Sequence, residues 1–322
     1  MGGLLYWSLH GIAVSRVIAL WSAMEWPLIR LVLVLTLLDI AVRAFSWKLT
    51  VDSVKRIPFF HLLSLYLIGQ ITNVVLPLKL GDFAQGYLLG KRQEIATAAS
   101  FSSIAVVRFF QFLSLAVIFL FALPLVAYRR SLLRGGWILL GSAVGVLLLS
   151  MVMKRYQTPI IHAVVRFIGR WSNDAAEKVV IILQSVKQGA GSLKSPLRVA
   201  TVFGFSLLSW IIEIIMIVLT AHALSIAVSF SQATIVLLAI NLALIISPTP
   251  GNIGTYQAVC IIALGWFGID RTKALSFSFV LQLIQGIPVI TLGTGSMLFE
   301  LLHRDEKSVS STGVALKKEG KL

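Results

Sequence analysis

The chain has 322 residues, of which 57% are hydrophobic and 13% charged, and its mean hydropathy is +0.91. Soluble proteins carry about a quarter charged residues, so this composition excludes an ordinary soluble domain and predicts an all-helical, polytopic integral membrane protein. The net charge of +15 comes from Lys and Arg between apolar runs. That pattern is typical of a multi-pass cell-membrane protein with basic cytoplasmic loops that contact anionic lipid, rather than of nucleic-acid binding.

The first segments of the chain are apolar but carry charges. Residues 1–27 fit an interfacial helix as well as a poor first span. Residues 28–47 form the first convincing span, with Asp39 and Arg43 four residues apart on one helical face. We expect Arg43 to snorkel to the membrane interface with Asp39 paired to it, in preference to a role in binding a substrate.

The second span ends in an interruption, which reads N-V-V-L-P-L-K-L-G-D at positions 73–82. The glycines that follow its proline make a continuous helix unexpected over 79–94. We predict a re-entrant or interface-hugging segment there. The alternative is a plain polar loop in which Lys79 and Asp82 neutralise each other.

The long apolar run 97–128 contains Arg108 and Gln111, which face the same way on a helix. About ten residues of the run precede Arg108, so its guanidinium cannot easily snorkel and should face the protein interior and hold an anion. That anion is either Asp82, which would be a structural pairing, or a lipid phosphate, which would be functional.

Residues 154–198 are the only long polar section, and apolar residues recur there at helical spacing among Lys and Arg. We predict an amphipathic basic helix or helical hairpin that lies on an anionic lipid surface at the cytoplasmic face. Residues 303–322 form a polar, basic tail that we expect to be cytoplasmic and disordered. It follows a single transmembrane domain over 1–302.

Glu213 lies well inside the next span, near Trp210. A lone carboxyl at that depth is either protonated or paired with a cation from another span. A proton relay would need a second acid, and none is near it in the sequence.

The run 214–269 contains no Asp, Glu, Lys or Arg, yet S-P-T-P-G-N-I-G-T-Y interrupts it at 247–256. Broken backbone at membrane depth is tolerated only where protein buries it or where it lines a water-filled cavity. Paired interruptions in the two halves of a membrane protein indicate a site at the interface of two repeats. We therefore expect this break and the one at 73–82 to enclose a polar cavity.

The sequence contains none of the motifs HExxH, CxxC, GxSxG or the Walker loop, and its five histidines are scattered. We expect no metal, no cofactor and no catalytic residue, although a lipid-carrier transferase stays open because Asp39, Asp82 and Glu213 lie at plausible depth. Anion handling is better supported. Lys79, Arg108 and two half-helix ends could receive a phosphate or carboxylate.

Four motifs occur in a fixed order: N-x-x-L-P-x-K-x-G-D at 73–82, V-V-R-x-x-Q at 106–111, Glu213 in a Trp-containing span, and N-L-A-L-I-I-S-P-T-P-G-N-I-G-T-Y-Q at 241–257. Their order resembles the flippase-like transmembrane domain of lysylphosphatidylglycerol synthases, over nearly the whole chain. The resemblance implies a helical domain that moves phospholipids or polyprenyl-type lipids between leaflets. Only 303–322 follow the last span, so it also implies a stand-alone translocating part without the synthase domain, served by a separate lipid-modifying enzyme.

The chain departs from the family pattern, which commonly has Arg at Lys79, Glu at Asp82, Arg at Gln85, Asp at Gln111 and Glu at Gln257. Glutamine at three of these positions keeps hydrogen bonding but removes a formal charge. Lysine lacks the planar fork with which arginine holds a phosphate. The resemblance therefore leaves open a neutral or differently charged head group, or a degenerate member.

We predict about seven or eight transmembrane helices with two interrupted or re-entrant segments, and lipid translocation through the cavity between them. The alternatives are a membrane-embedded glycosyl or acyl transferase on a lipid carrier, and a non-transporting scaffold for a partner enzyme. Lys79 and Arg108 would hold a head-group anion, with Asp82 and Glu213 balancing or gating them. The expected site residues are Asn73, Pro77, Lys79, Asp82, Gln85, Arg108, Gln111, Glu213, Asn241, Pro250, Gly251, Asn252, Gly254, Tyr256 and Gln257.

Overall fold

A computed structural model describes residues 14–76, 80–126, 195–244 and 249–318, together with Ser8, Trp137 and Gly141; for Val14, 123–126 and 301–318 it describes the backbone only. The regular elements among these residues are all helical, which confirms the predicted fold class. The helices are α1 (Val14–Ser22), α2 (Trp26–Val51), α3 (Phe59–Val75), α4 (Leu80–Gln93), α5 (Thr97–Val126), α6 (Pro196–Ala223), α7 (Phe230–Leu244), α8 (Thr255–Gly265) and α9 (Arg271–Lys318), with a 3₁₀ turn at Pro250–Asn252.

Four of these helices are long enough to cross a bilayer. The apolar stretches Thr97–Ala122, Pro196–Ala223 and Arg271–Glu300, in α5, α6 and α9, satisfy both the length and the composition of a membrane span. α2 has 26 residues, about 39 Å at 1.5 Å per residue, and is apolar apart from four charged residues. Most of 127–194 lies outside the described residues, so the predicted number of spans stays a prediction.

The short helices form two hairpins, α3 with α4 and α7 with α8. They have 17, 14, 15 and 11 residues. These lengths of about 16–26 Å fall short of the roughly 30 Å of hydrocarbon in a bilayer. Pairs of helices this short suit a chain that turns back within the membrane. The sequence predicted a re-entrant segment only after the first interruption, with a full second span before it, so the short α3 corrects that expectation.

The first hairpin corrects one expectation, because α4 is a single uninterrupted helix where a continuous helix over 79–94 was unexpected. Its glycines allow close contact instead of bending the chain. A methyl group on Gly81 would overlap the carbonyl oxygen of Gly69 and the side chain of Asn73, both on α3. The missing Cβ atom therefore lets the two helices of the hairpin approach each other.

The helices fall into two sets with the same order: long, short, short, long. We call α2–α5 the first repeat and α6–α9 the second repeat. Each packing contact in one repeat has a counterpart in the other: α2–α3 with α6–α7, α3–α4 with α7–α8, α4–α5 with α8–α9, and α2–α5 with α6–α9. The contacts between repeats also match, α2–α9 with α5–α6 and α3–α9 with α5–α7.

The two repeats run in opposite directions. The Glu25 N–H, just before α2, donates to the carbonyl of Ala223 at the end of α6, at 3.0 Å. The rings of Phe45, late in α2, and Phe205, early in α6, have centroids 5.2 Å apart. α2 and α6 are therefore antiparallel, and equivalent helices with opposite directions make the chain an inverted repeat.

The largest apolar core lies between α6, α7, α8 and α9 and the facing sides of α2 and α5. Met216, Leu237, Leu264 and Phe277 are fully buried in it. Large apolar side chains on the outer faces of the long helices, such as Phe121, are exposed, as expected of a surface that faces lipid.

Three predicted segments are described only in part, so their predictions are tested only in part. α1 has nine residues, about 14 Å, so this helix by itself is too short to span and suits the interfacial alternative for 1–27. α9 continues to Lys318, beyond the boundary predicted at 302, and that boundary stays a prediction. The amphipathic section 154–198 lies outside the described residues up to position 194, so its lipid contact also stays a prediction.

Candidate functional site

The turn of the second hairpin packs against the end of the first. The 3₁₀ turn Pro250–Asn252 contacts α3, and a methyl group on Gly251 would lie 3.6 Å from the carbonyl oxygen of Val74. The two interruptions therefore adjoin, as far as they are described. Pro77 and Lys79, in the turn of the first hairpin, lie outside the described residues.

The backbone of the second turn explains its composition. Gly251, Asn252 and Gly254 have φ angles of 58°, 56° and 88°. This left-handed region is open to glycine and tolerated by asparagine, and it is costly for most other residues. Pro250 begins the 3₁₀ turn, where its fixed φ suits the first position. The sequence thus builds a rigid turn between α7 and α8.

A charged cluster lies at the turn end of the first hairpin. Arg108 on α5 donates from Nε to Asp82 Oδ2 at 2.8 Å and from Nη2 to Asp82 Oδ1 at 2.6 Å, a bidentate pair. Its Nη1 donates to Gln111 Oε1 at 2.8 Å. Of the two anions expected for Arg108, the structure shows Asp82.

Asn73 connects this pair to the end of α3. Its Nδ2 donates to Asp82 Oδ1 at 3.2 Å, and its Oδ1 accepts from the Gly81 N–H at 2.8 Å. We call Asn73, Asp82, Arg108 and Gln111 the Arg108 cluster. The side chains of Arg108 and Asp82 are 30% and 19% exposed, so the pair remains reachable from outside.

Gln85 lies one turn further along α4, inside the first hairpin. It is 3% exposed, and a methyl group on Gly69 would lie 2.9 Å from its Cβ and Oε1 atoms. Gln85 therefore packs between α3 and α4 and does not join the Arg108 cluster.

The second hairpin carries a neutral counterpart, which we call the Gln257 cluster. Gln257 Oε1 accepts from the Gly254 N–H at 2.7 Å, and its Nε2 donates to Gln282 Oε1 at 2.5 Å. Gln282 Nε2 donates to the carbonyl of Gly251 at 2.7 Å. These amides tie the rigid turn to α9.

The two clusters occupy equivalent positions in the inverted repeat. Asp82 is the third residue of α4, and Gln257 is the third residue of α8. Arg108 is the twelfth residue of α5, and Gln282 is the twelfth residue of α9. The same helix positions thus hold an ion pair in the first repeat and an amide pair in the second.

A third cluster, the Arg43 triad, joins the two repeats where α2 crosses α6. Arg43 donates from Nε to Asp39 Oδ2 at 2.7 Å and from Nη2 to Glu213 Oε1 at 2.5 Å. Ser209 Oγ donates to Asp39 Oδ1 at 2.5 Å. The side chains of Asp39, Arg43 and Glu213 are 11%, 14% and 20% exposed.

The triad corrects the expectation that Arg43 snorkels to the interface, although the predicted pairing with Asp39 is present. Arg43 points into the protein because a carboxylate on another helix competes with the interface for it. For Glu213, the structure shows the cation from another span that one alternative required, which is Arg43. Three ionisable residues at mid-span were the available signal, but Arg43 and Glu213 are 170 positions apart in the chain.

Trp210 lies between the triad and the Arg108 cluster. The Arg43 guanidinium stacks over its ring, 5.1 Å from the centroid. Its indole N–H donates to the carbonyl of Gln111 at 3.1 Å and to Ser114 Oγ at 2.9 Å, both on α5. Trp210 thus contacts both Arg43 and the helix that carries Arg108.

Like Gln85, two further predicted residues lie apart from the hydrogen-bonded clusters. Asn241 Nδ2 donates to the carbonyl of Leu237 in its own helix, at 3.0 Å. Tyr256 is 7% exposed and close enough to Glu213 to interact with it electrostatically. Within the described ranges, no three His, Cys, Asp or Glu side chains come together as a metal ion would need.

The fold and these clusters define a polytopic helical membrane protein in which two re-entrant hairpins bring buried polar and charged groups together. The family model described as Lysylphosphatidylglycerol synthase TM region matches residues 1–293. The UPF0104 membrane protein MJ1595 of Methanocaldococcus jannaschii is 25% identical over 290 residues, which are 86% of each chain. The chain therefore belongs to the lysylphosphatidylglycerol synthase transmembrane-region family, and the resemblance drawn from the motifs is confirmed.

Proposed function

We propose that the protein translocates a lipid, a phospholipid or a polyprenyl-type phosphate, between the leaflets of the cell membrane. The observation that carries this proposal is the bidentate Arg108–Asp82 pair, set where a re-entrant hairpin turns back. Ionisable residues at membrane depth are rare and mark pathways for charged groups. Arg108 is about 18 Å along α5, far from a helix end to which it could snorkel.

A phosphate could replace Asp82 at Arg108. Arginine holds phosphate and carboxylate with the same two-pronged geometry, so the head group exchanges one anion for another without leaving the guanidinium unpaired. The N-terminus of α4 adds backbone N–H groups with partial positive charge beside it. Lys79, immediately before α4 in sequence, adds a second cation. Asn73 and Gln257 support the two turns through the N–H groups of Gly81 and Gly254.

The inverted repeat supplies a means of opening the site to either leaflet. In transporters built this way, the two repeats rock against each other around a site near the bilayer midplane. Here the adjoining turns form that midplane region, and in the present conformation Asp82 closes the Arg108 cluster. Opening the site for a head group requires this carboxylate to move away.

Leaflet exchange in vesicles tests the proposal. The purified protein is reconstituted with a fluorescent anionic phospholipid, and the probe in the outer leaflet is quenched chemically over time. We expect exchange with the wild-type protein and its loss with Arg108→Ala. Arg56→Ala, at an exposed position after α2, is the matched control and should retain exchange.

Two results would contradict the proposal. One is wild-type exchange by a folded Arg108→Ala protein. The other is recovery of a chemically changed lipid, which would favour a transferase.

The charge pattern supports an orientation for this activity. We place 154–198 and the C-terminal tail in the cytoplasm, with 154–198 against anionic lipid, because both are rich in Lys and Arg. A separate lipid-modifying enzyme would then supply the substrate from the same side.

A further inference from the structure

The Arg43 triad contains two carboxylates and one guanidinium, so it carries an excess negative charge if all three are ionised. The side chains are at most 20% exposed. A buried charge without a partner is strongly disfavoured, and a buried carboxyl instead takes up a proton or recruits a cation.

Among the residues that the structure describes, the helices around the triad offer no cation to balance the excess. Arg108 on α5 donates two hydrogen bonds to Asp82 on α4, and Lys48 on α2 is paired with Asp52 at 2.5 Å. α7 has no ionisable residue, and α9 has none between Lys273 and Glu300. The other titratable groups that interact with the triad are the phenols of Tyr66 on α3 and Tyr256 on α8.

The hydrogen bonds indicate which carboxyl holds the proton. Asp39 accepts hydrogen bonds at both oxygens, from Arg43 at Oδ2 and from Ser209 at Oδ1. Among the described residues, Glu213 accepts a hydrogen bond only at Oε1. Glu213 Oε2 has no hydrogen-bond partner among the described residues, so it is the oxygen that can carry the proton.

We propose that Glu213 binds one exchangeable proton, and that this proton and an anionic head group at Arg108 favour each other's binding. The coupling follows from charge. Ionisation of Glu213 leaves the triad with a net negative charge, which repels an anionic head group at Arg108. The two clusters are close to each other because Trp210 contacts both Arg43 and the backbone of Gln111. By linkage, protonation assists the anion and the anion assists protonation.

Proton binding can be tested without any transport assay, so it does not depend on the proposed function. An apolar carbodiimide adds to protonated carboxyls in apolar surroundings, and mass spectrometry locates the adduct. We expect Glu213 to be labelled, with labelling that falls about tenfold for each pH unit above its midpoint. Absence of labelling at Glu213 from about pH 5 to about pH 9, the range over which buried carboxyls titrate, would overturn the proposal.

Asp39→Asn tests the charge count directly. It leaves one guanidinium for one carboxylate, so Glu213 no longer needs a proton, and its labelling at the wild-type midpoint should fall at least about tenfold. Asp52→Asn, which removes a carboxylate already matched by Lys48, is the control and should leave the labelling of Glu213 unchanged. Equal labelling of Glu213 in wild type and in folded Asp39→Asn would contradict the charge argument.

The coupling to lipid rests on the proposed function and has its own test. We expect wild-type exchange of an anionic phospholipid to fall as pH rises, and Glu213→Gln, which is neutral at every pH, to lose this dependence. Labelled Glu213 with pH-independent exchange in the wild type would overturn the coupling. Labelled Glu213 without any exchange would contradict the proposed function and leave the proton site in place.

Discussion

Asp82 and Arg108 share two hydrogen bonds in the first repeat, whereas Gln257 and Gln282 share one at the same helix positions in the second. Both pairs join the second short helix of a hairpin to the following long helix. The charged pair is partly exposed, and Gln257 is fully buried. The amide pair can hold the two helices together, so holding them together does not require charge.

This difference assigns separate tasks to the two hairpins. The neutral pair fixes a rigid turn through Gly251 and Gly254, and it has no charge to offer a phosphate. Burial of the charged pair costs more free energy, and its guanidinium can bind another anion in place of the carboxylate. We therefore place the head group at the first hairpin and the supporting turn at the second.

Removal of one partner should lower the free energy of unfolding much more for the charged pair than for the amide pair. Asp82→Ala leaves the Arg108 guanidinium without its carboxylate in a membrane span, and we expect a loss of about 3–5 kcal/mol. Gln257→Ala leaves only neutral amide groups unpaired and should cost about 1–3 kcal/mol. Thermal unfolding in detergent measures both, and equal losses would show that the charge of the first pair is not buried.

Substitution of a glycine by alanine should destabilise the two hairpins for different reasons. Gly81→Ala forces a methyl group against the Gly69 carbonyl and should cost about 1–3 kcal/mol through overpacking. Gly254→Ala adds a Cβ atom to a left-handed residue, at a cost of about 1–2 kcal/mol. Gly286→Ala is the control, since open space surrounds it inside α9, and it should stabilise the protein by up to about 1 kcal/mol. A neutral Gly81→Ala would contradict the close packing of the first hairpin.

The sequence predicted the two interruptions better than it predicted the contacts between distant helices. Prolines and glycines inside uncharged runs have few physical explanations in a membrane, so the two interruptions were predictable, although the short helices on either side of them were not. The depth of Arg108 also predicted that it holds an anion. Contacts between α2 and α6, which unite Arg43 with Glu213, depend on tertiary packing across 170 positions and leave no local pattern.

The paired interruptions indicated two repeats, but the sequence did not show which helix positions correspond. The equivalent positions hold unlike residues, Asp82 with Gln257 and Arg108 with Gln282, so their likeness shows in helix position and not in residue type. The glycines of α4 misled because glycine serves both bends and close contacts, and only the neighbouring backbone distinguishes the two.

The substitution that we expect to change stability least is at Asp270, outside the membrane, just before α9. Asp270 Oδ2 accepts the N–H groups of Thr272 and Lys273, at 2.8 and 3.4 Å. Slight burial raises the pKa of this carboxyl, but the backbone N–H groups lower it more, so it lies below its usual value. Its ionised form therefore stabilises the helix above the usual pKa of aspartate, and this contribution is lost as pH falls through the lowered value.

Asp270→Ala should cost about 1 kcal/mol as the loss of a helix cap. The difference from wild type in thermal midpoint should be present at about pH 7 and shrink below about pH 3, where the carboxyl is protonated. Asp270→Asn keeps a capping oxygen and should remove most of the pH dependence with little loss at neutral pH. A difference that grows as pH falls would contradict the cap.

If the ion pair of the first hairpin binds the head group, a double variant that removes both of its charges should lose lipid exchange. Asp82→Gln with Arg108→Gln gives the first repeat the chemistry of the second, and it leaves no charge unpaired, so the protein should remain folded. Exchange of a fluorescent anionic phospholipid by this variant in vesicles is predicted to fall to the level of protein-free vesicles. Exchange at the wild-type rate by the folded double variant would contradict the account.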